Sequence, residues 1–323
     1  MKNPLVSLVI LNWNGKECID ECLESVLKTD YKNIEIIVVD NGSTDDSLER
    51  IKKRPQVKIL ALKENLGYAA GNNAGFKQAM GDFVATLNND VIVEPDWLKQ
   101  PLELFKKFSS IGIIACRQMN YQKRDIIDCL YGYPKKSLIF APMGSRKRLC
   151  NNELFMQPGI VISAGGASAL YRKRLLTELN GFDEHYYSFH EESDLCMRAF
   201  LLGWKSAYSP SAVVYHKGSF SYSRTKAKWA FYHERNRLLF MYKFFPFSFI
   251  LQNMGWIFLN EMRQIAILLF KKKVGHMYCI AWIQAIKCRI HFHEARKKYV
   301  PLFNANKTTF LSIVQNYKLP LPD

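Results

Sequence analysis

A chain of 323 residues can form one large domain, or one domain with an appended helical region. Its content of 48% hydrophobic and 13% aromatic residues excludes intrinsic disorder, because that much apolar surface can build a core. The formal net charge of +16 is unevenly distributed: residues 1–204 carry 26 Lys and Arg against 25 Asp and Glu, whereas residues 205–323 carry 19 against 4. The C-terminal third is therefore expected to meet an anionic partner.

The first half of the chain alternates strand and helix patterns. Short apolar runs predict strands over 5–11, 34–39, 57–62 and 83–87, with helical stretches between them. Asp46 and Glu49 match a capping box at the start of one of these helices. Such alternation is typical of an α/β domain with a largely parallel sheet, in which ligands bind at the carboxyl ends of the strands.

The second half is less regular. Residues 117–158 are basic and weakly periodic, which predicts a long loop region of the kind that shapes an acceptor site. Beyond it, the patterns predict an interrupted strand over 160–171, a helix over 191–202 and a strand over 212–215. The chain after His233 is predicted to be helical.

Polar residues follow two of the predicted strands. Asp40 and Asn41 begin a turn after the second strand, where a carboxylate can accept hydrogen bonds from a ligand, although a capped helix start would use the same residues. Asn88, Asn89 and Asp90 follow the fourth strand, and a carboxylate there can hold Mg²⁺ or Mn²⁺, although a plain turn also fits.

Two further segments stand out. The segment NLGYAAGNNAG at 65–75 is rich in small residues, which permit close approach either to a ligand or to the sheet. Glu191, Glu192 and Asp194 crowd at a helix start, where the helix dipole favours negative charge. Helix capping explains one or two of these acids, and a general base of raised pKa is the sharper interpretation.

The C-terminal region suggests a location. Residues 244–270 are mostly apolar, but Glu261 and Arg263 argue against a membrane span, and Lys271 to Lys273 follow. A basic interfacial helix on an anionic membrane surface fits this pattern, and the interspersed aromatic residues favour lipid over nucleic acid. Packing on the catalytic domain or in a dimer is the alternative. The eight cysteines form no CxxC pair, and no signal peptide is visible, which suggests reduced thiols in the cytosol.

Five ordered segments together closely resemble family-two glycosyltransferases, especially their rhamnosyltransferase-like branch. They are VSLVILNWNG at 6–15, VVDNGSTD at 38–45, NLGYAAGNNAG at 65–75, LNNDVIVEPDWL at 87–98 and GFDEHYYSFHEESDLCMR at 181–198. The resemblance covers about residues 5–240. It implies a GT-A fold, with a Rossmann-like mixed, mostly parallel sheet flanked by helices and a C-terminal helical extension. The implied divisions are a nucleotide-binding half at 1–116, an acceptor-binding half at 117–240 and a basic amphipathic region at 241–323.

The resemblance also assigns roles to residues. It implies a nucleotide-sugar site formed by Asn12, Asp40, Asn41, Gly67, Asn72, Asn88, Asn89 and Arg235, with the alternative that Arg235 only positions a helix. Asp90 and His216 would hold a divalent metal, Mn²⁺ or Mg²⁺. Glu192 would be the catalytic base, one methylene longer than the Asp usual in the family, with Glu191 as the alternative. Asn88 replaces the first carboxylate of the family's DxD motif.

The function implied by the resemblance is inverting transfer of a sugar from a dTDP- or UDP-sugar, with dTDP-rhamnose as a candidate. The acceptor would be a hydroxyl of a lipid-linked or cell-surface glycan, at the inner face of the cell membrane. Two other classes stay open: a degenerate nucleotide-sugar-binding subunit, and a nucleotidyltransferase that makes sugar nucleotides. The second normally has a Gly-rich phosphate loop near the first strand, where this chain has Asn12 to Gly15.

Overall fold

The computed structural model describes residues 3–149, 153–218, 226–266 and 275–322. The strands are β1 (Val6–Asn12), β2 (Ile34–Asp40), β3 (Val57–Ala61), β4 (Phe83–Asn88), β5 (Val91–Val93), β6 (Ile111–Asn120), β7 (Ile127–Cys129), β8 (Gly132–Pro134), β9 (Phe140–Pro142), β10 (Gly159–Val161), β11 (Ser168–Arg172) and β12 (Lys205–His216). The helices are α1 (Ile19–Leu27), α2 (Ser47–Lys52), α3 (Gly67–Gln78), α4 (Lys99–Lys107), α5 (Glu153–Met156), α6 (Lys173–Glu178), α7 (Glu191–Leu201), α8 (Lys226–Phe244), α9 (Phe247–Gln252), α10 (Met254–Ala266), α11 (Gly275–Cys288) and α12 (His293–Asn316).

One mixed sheet forms the centre of the fold, in the order β10-β12-β6-β11-β4-β1-β2-β3. Strands β4, β1, β2 and β3 are mutually parallel, and β6 is parallel to β12. Strand β11 runs antiparallel between β4 and β6 and joins the two parallel blocks. The helix-flanked mixed sheet predicted from the sequence is confirmed.

The parallel block brings three strand ends to one edge of the sheet. Asn12 pairs in register with Asp40, and Leu11 pairs with Asn88. Ile10, Val39 and Leu87, which precede these ends, are almost completely buried, because the sheet is covered on both faces. The edge formed by the strand ends is therefore fixed by the core beneath it.

Several local predictions were wrong. Residues 117–158 are not a long loop, since β6 continues to Asn120 and the short elements β7, β8, β9 and α5 follow; three-residue strands are too short to show a period. The interrupted strand is two strands, β10 at the sheet edge and β11 at its centre. The capping box is absent: the Asp46 side chain makes no cap bond, and Asp45 accepts from the Ser47 amide at 3.0 Å instead.

The C-terminal helices share the main core. Pro246 separates α8 from α9, and Phe244 and Phe245 pack with Phe303 and Phe310 of α12 against the sheet layer. The predicted division at residue 240 falls inside α8. In the described ranges, no helix combines the length and apolarity needed to cross a membrane. The predicted run Lys271 to Lys273 lies outside the described residues.

Candidate active site

A cavity of about 480 Å³ opens at the carboxyl ends of β1 and β4. Sequence-predicted residues that line it are Asn41, Asn88, Asn89, Asp90, Glu191, Glu192 and His216. The structure thus brings together residues from both halves of the predicted catalytic region. Asn12, Asp40, Gly67, Asn72 and Arg235 lie outside the lining, in supporting positions.

Asn12 connects two strand ends by hydrogen bonds. Its amide Nδ2 donates to Asp40 Oδ1 at 2.8 Å and to Ser47 Oγ at 2.9 Å, and its Oδ1 accepts from Asn89 Nδ2 at 2.8 Å. Asp40 also accepts from the Ser43 hydroxyl at 2.6 Å. Because Asn12 is fully buried, it acts by holding Asp40 and Asn89 in place.

The turn before α3 is fastened to the end of β2. Asn41 Nδ2 donates to the Gly67 carbonyl at 3.1 Å, and its Oδ1 accepts from the Leu66 amide at 3.0 Å. Gly67 has a φ of +87°, and a Cβ there would lie 2.5 Å from the Tyr187 carbonyl oxygen, so glycine is required by close approach. Asn72 donates to the Tyr68 carbonyl one turn earlier in α3.

Asp90 and His216 lie side by side in the wall of the cavity. His216 Nε2 lies 3.3 Å from Asp90 Oδ1, and its Nδ1 lies 2.7 Å from Asp128 Oδ2. Burial alone would lower the pKa of His216, but the hydrogen bonds and charges of Asp128 and Asp90 outweigh it and raise the pKa to about 10. The two carboxylates thus favour the protonated form of His216, and binding of a cation at Nε2 would displace that proton.

Asp90 and His216 fit two positions around a divalent cation. Ligands about 2.1 Å from an octahedral Mg²⁺ lie about 3 Å apart, close to the Asp90–His216 separation. Within the ranges that the structure covers, no group of three or more His, Cys, Asp or Glu could hold a metal unaided. A site with so few protein ligands suits a cation whose remaining coordination positions are filled by substrate phosphates and water.

Asn88 presents an unsatisfied acceptor to the same cavity. Its Oδ1 is buried and has no hydrogen-bond partner among the described residues. A buried amide oxygen without a partner costs about 1–3 kcal/mol of stability. A bound cation, or a ligand that donates a hydrogen bond, would recover that free energy. The position thus fits a binding residue.

The three acidic residues at the start of α7 lie in two different environments. Asp194 is buried and ion-paired with Arg198 and Lys243, both at 2.6 Å, so it is structural. Glu191 and Glu192 line the cavity instead. Burial, together with the neighbouring Glu192 charge, raises the pKa of Glu191 well above its ordinary value, and burial also raises the pKa of Glu192.

Glu192 is the more accessible of the two glutamates. Glu191 is 2% exposed, whereas Glu192 is partly exposed to the cavity. A Cβ on Gly166 would lie 2.7 Å from Glu192 Oε1, so the absent side chain at residue 166 leaves room for the carboxylate. Glu192 is therefore the glutamate more open to a hydroxyl in the cavity.

The loop before α7 is strained and held from below. Tyr187, Phe189 and His190 all have positive φ, between 64° and 72°. The Asn236 amide donates to the carbonyls of Tyr186, Ser188 and Phe189, each at 2.8 Å. Such strain persists only where surrounding contacts impose it, and it is concentrated at functional sites.

Arg235 belongs to the same support. Its guanidinium donates to the carbonyls of His185 at 2.8 Å and Tyr186 at 3.0 Å, and to Asn236 Oδ1 at 2.8 Å. These contacts match the alternative in which Arg235 positions a structural element. A role in phosphate binding stays a prediction.

Sequence reasoning missed Asp128 and Asn236. Asp128 lies in the three-residue strand β7, inside the region predicted to be a loop, and no periodicity marks it. Asn236 is adjacent to Arg235 in the sequence, and the two side chains support the same loop. The assignment of Arg235 was therefore the one feature that could have pointed to Asn236. The cavity-lining aromatic residues Tyr68 and Tyr232 were missed because aromatic side chains are common in cores.

Comparison with known proteins agrees with this geometry. The family model for glycosyl transferase family 2 matches residues 7–179. Poly-beta-1,6-N-acetyl-D-glucosamine synthase of Staphylococcus aureus is 26% identical over 213 residues, which are 65% of this chain and 49% of the relative. The chain spans about a quarter to a half of the length of the curated relatives it matches.

Two solved structures share the fold over nearly the whole chain. Mannosyltransferase PcManGT from Pyrobaculum calidifontis, in complex with GDP-Man and Mn²⁺, superposes with a TM-score of 0.54 at 14% identity, covering 97% of this chain and 87% of its own. S. aureus TarS 1-349 in complex with UDP-GlcNAc has a TM-score of 0.54 at 19% identity, covering 97% and 92%.

The sheet, its C-terminal edge and these likenesses define a GT-A fold, as predicted from the sequence. The chain belongs to glycosyl transferase family 2, whose model spans more than half of its residues. The rhamnosyltransferase-like branch stays a prediction.

Proposed function

We propose that this protein transfers a sugar from a nucleotide-sugar donor to an acceptor hydroxyl. The observation that carries the proposal is the shared cavity, which has Asp90 and His216 on one wall and Glu192 on another. One wall offers ligands for a metal-bound diphosphate, and the other offers a carboxylate that can accept a proton. Family membership and the nucleotide sugars bound by PcManGT and TarS support the same reaction class.

Glu192 is the proposed base. It accepts the proton of the acceptor hydroxyl while the hydroxyl oxygen bonds to the anomeric carbon and the bond from that carbon to the diphosphate breaks. A single displacement of this kind inverts the anomeric configuration. Because burial raises the pKa of Glu192, turnover should decline as the pH falls through that raised value and the base becomes protonated.

Asp90 and His216 are the proposed holders of Mn²⁺ or Mg²⁺. The cation would supply positive charge that stabilises the leaving diphosphate. Asp128 keeps the His216 ring in position through Nδ1, an arrangement typical of histidines that bind metals. Asn12, Asp40 and Asn41 shape the neighbouring nucleotide end of the cavity.

The finer identities belong to the same proposal. UDP-sugars are supported by the TarS complexes, whereas dTDP-rhamnose rests on the branch resemblance. A glycan acceptor, lipid-linked or at the cell surface, is supported by the polysaccharide synthase among the relatives. We place the protein on the cytoplasmic side of the cell membrane because of its basic C-terminal region.

The test compares nucleotide binding with turnover. A thermal-shift panel of nucleotide sugars with Mn²⁺ or EDTA should give a metal-dependent shift for one nucleotide, since a ligand at 100 times its Kd adds about 2.7 kcal/mol of stability. Glu192→Gln should keep that shift and lose turnover by about two to four orders of magnitude. Glu191→Gln is the matched control and should lose less.

Three results would change the proposal. Equal activity of Glu192→Gln and the wild type would exclude Glu192 as the base. A larger loss in Glu191→Gln would transfer the role to Glu191. A nucleotide shift without turnover of any donor by the intact protein would favour a degenerate binding subunit.

A further inference from the structure

Two neighbouring C-terminal helices, α10 and α11, expose large apolar side chains, and Tyr278 of α11 contacts Glu261 of α10. Six residues define what we call the apolar face: Trp256, Phe258 and Leu259 of α10, Ile283 and Ile286 of α11, and Ile290 just after α11. Their exposed fractions run from 52% to 73%. Large apolar side chains exposed on two packed helices mark a candidate interaction site in a folded protein.

Helix α10 turns more apolar surface outwards than an ordinary surface helix. It buries Ile257 in the main core, and beside it Glu261, whose carboxylate pairs with the buried Arg237 at 2.7 Å and accepts from the Tyr278 hydroxyl of α11. The tryptophan, phenylalanine and leucine of the same helix point outwards. A helix that buries a charged residue and exposes large apolar ones leaves apolar surface for another partner.

Helix α11 also exposes its large apolar residues, and two of the residues that it buries are alanines. Its buried positions are Tyr278, Ala281 and Ala285, whereas Ile283 and Ile286 are 54% and 55% exposed. The small alanines allow α11 to approach α8 closely and direct the bulky side chains outwards. Each of the two helices therefore buries only small or few apolar residues in the core and exposes its larger ones.

The charge of this segment identifies the partner. Residues 247–292 contain six Lys and Arg and a single acid, Glu261, which is buried and paired. Arg263 and Lys287 are exposed on the two helices of the apolar face. Apolar side chains flanked by cations match the headgroup region of an anionic bilayer, where tryptophan is also favoured.

A second copy of the chain fits less well. A two-fold interface through the same surface would bring the cations of both copies together without exposed acids from this segment to balance them. The described helices are also too short or too polar to cross a bilayer, so the match is to its surface.

The apolar face lies beside the cavity. Lys228, Tyr232 and His233 of α8 line the cavity, while Trp229 and Ala230 of the same turns pack against Tyr278 of α11. One helix thus separates the two sites. A protein resting on this face would hold its cavity close to the membrane surface.

We propose that the apolar face docks on the headgroup layer of an anionic membrane and so presents the cavity to membrane-anchored acceptors. The docking itself is independent of catalysis, and the acceptor class rests on the proposed function. Insertion of the apolar side chains into the headgroup layer attaches the protein, and the neighbouring cations favour anionic lipids.

The experiment is vesicle co-sedimentation of the full chain. Wild-type protein should bind vesicles of phosphatidylcholine with phosphatidylglycerol, and bind pure phosphatidylcholine more weakly. The double variants Phe258→Gln with Leu259→Gln and Ile283→Gln with Ile286→Gln should each bind at least about tenfold more weakly. Met80→Gln is the matched control, because Met80 is 69% exposed and lies before β4, away from this face; it should bind like the wild type.

Each other outcome overturns the docking surface. Wild-type protein that stays in solution excludes it, and double variants that bind like the wild type reduce the attachment to charge alone. Wild-type dimers that become monomers in the double variants, with vesicle binding unchanged, would assign the face to self-association. Turnover and nucleotide thermal shifts measured on every variant separate the two proposals, since failure of the proposed function removes turnover whether or not vesicles are bound.

Discussion

At the scale of single residues, Asp128 is the clearest addition to the site. Its carboxylate contacts His216 Nδ1 at 2.7 Å, on the side of the ring opposite Asp90. A carboxylate in this position fixes the ring orientation and the tautomer of a histidine that binds metal. Asp128 therefore acts through His216 and has no need to touch the donor.

Replacing Asp128 should weaken metal binding without removing the nucleotide site. We expect Asp128→Asn to raise the Mn²⁺ concentration for half-maximal nucleotide stabilisation by about 10- to 100-fold. The measurement is the thermal shift with nucleotide across a Mn²⁺ titration. Asp125→Asn is the control, since Asp125 lies in the same region but pairs with Arg148 at the surface. Equal metal dependence in both variants would argue against the role of Asp128.

At the scale of elements, the loop 186–190 connects the two sides of the site. Asn236 of α8 holds it through three carbonyls, and Gly67 allows its close approach to α3. Since α7 begins at Glu191, the loop determines where both glutamates point. Helix α8 thus positions the proposed base through this loop.

Removal of the Asn236 amide should affect turnover more than nucleotide binding. Asn236→Ala removes a donor from three carbonyls, of which only that of Tyr186 keeps the described Arg235 donor, and so loosens a strained loop. A misplacement of about 1 Å at a base can cost about 100-fold in rate. We expect kcat to fall by about that factor, with the nucleotide thermal shift retained. In the control Asn306→Ala, the lost amide serves one carbonyl within α12, and kcat should not change. Loss of nucleotide binding together with kcat would indicate a purely structural role.

At the scale of the whole molecule, the sequence predicts which residues meet at the strand ends, but it does not predict contacts between distant helices. Parallel strands carry Asn12, Asp40 and Asn88 to one edge, so a correct strand pattern is enough to group them. Asp194 resembles its neighbours Glu191 and Glu192 in sequence, and its burial depends on Lys243, 49 residues away. Periodicity alone could not reveal that contact.

The same limit applies to α10. The sequence pattern separates a polar stripe from an apolar one but does not say which stripe faces the protein. The polar side faces inwards because Arg237 of α8 supplies a buried partner for Glu261. Direction therefore depends on a contact between distant parts of the chain.

The buried Lys243 ties the C-terminal helices to the catalytic region. Its ammonium donates to Asp183 Oδ2 at 2.8 Å and to Asp194 Oδ1 at 2.6 Å, and the side chain is 2% exposed. Burial would raise the pKa of Asp183, but the Lys243 charge and hydrogen bonds outweigh it and lower the pKa to about 2. The ion pair therefore stabilises the fold above the unfolded-state pKa of about 3.9, and this contribution is lost as the pH falls towards 2.

Removal of this charge should destabilise the whole molecule. Lys243→Met leaves the buried Asp194 carboxylate and the half-buried Asp183 carboxylate short of a partner. Breaking a buried pair costs about 3–5 kcal/mol of unfolding free energy. The measurement is urea denaturation at pH 7 and at about pH 4, with a smaller difference from the wild type at the lower pH because Asp183 is then partly protonated in the unfolded chain. Lys297→Met, which breaks an exposed pair with Glu294, is the control and should change stability by less than about 1 kcal/mol. If both variants lost equal stability, the Lys243 ion pairs would have no special part in coupling the C-terminal helices to the catalytic region.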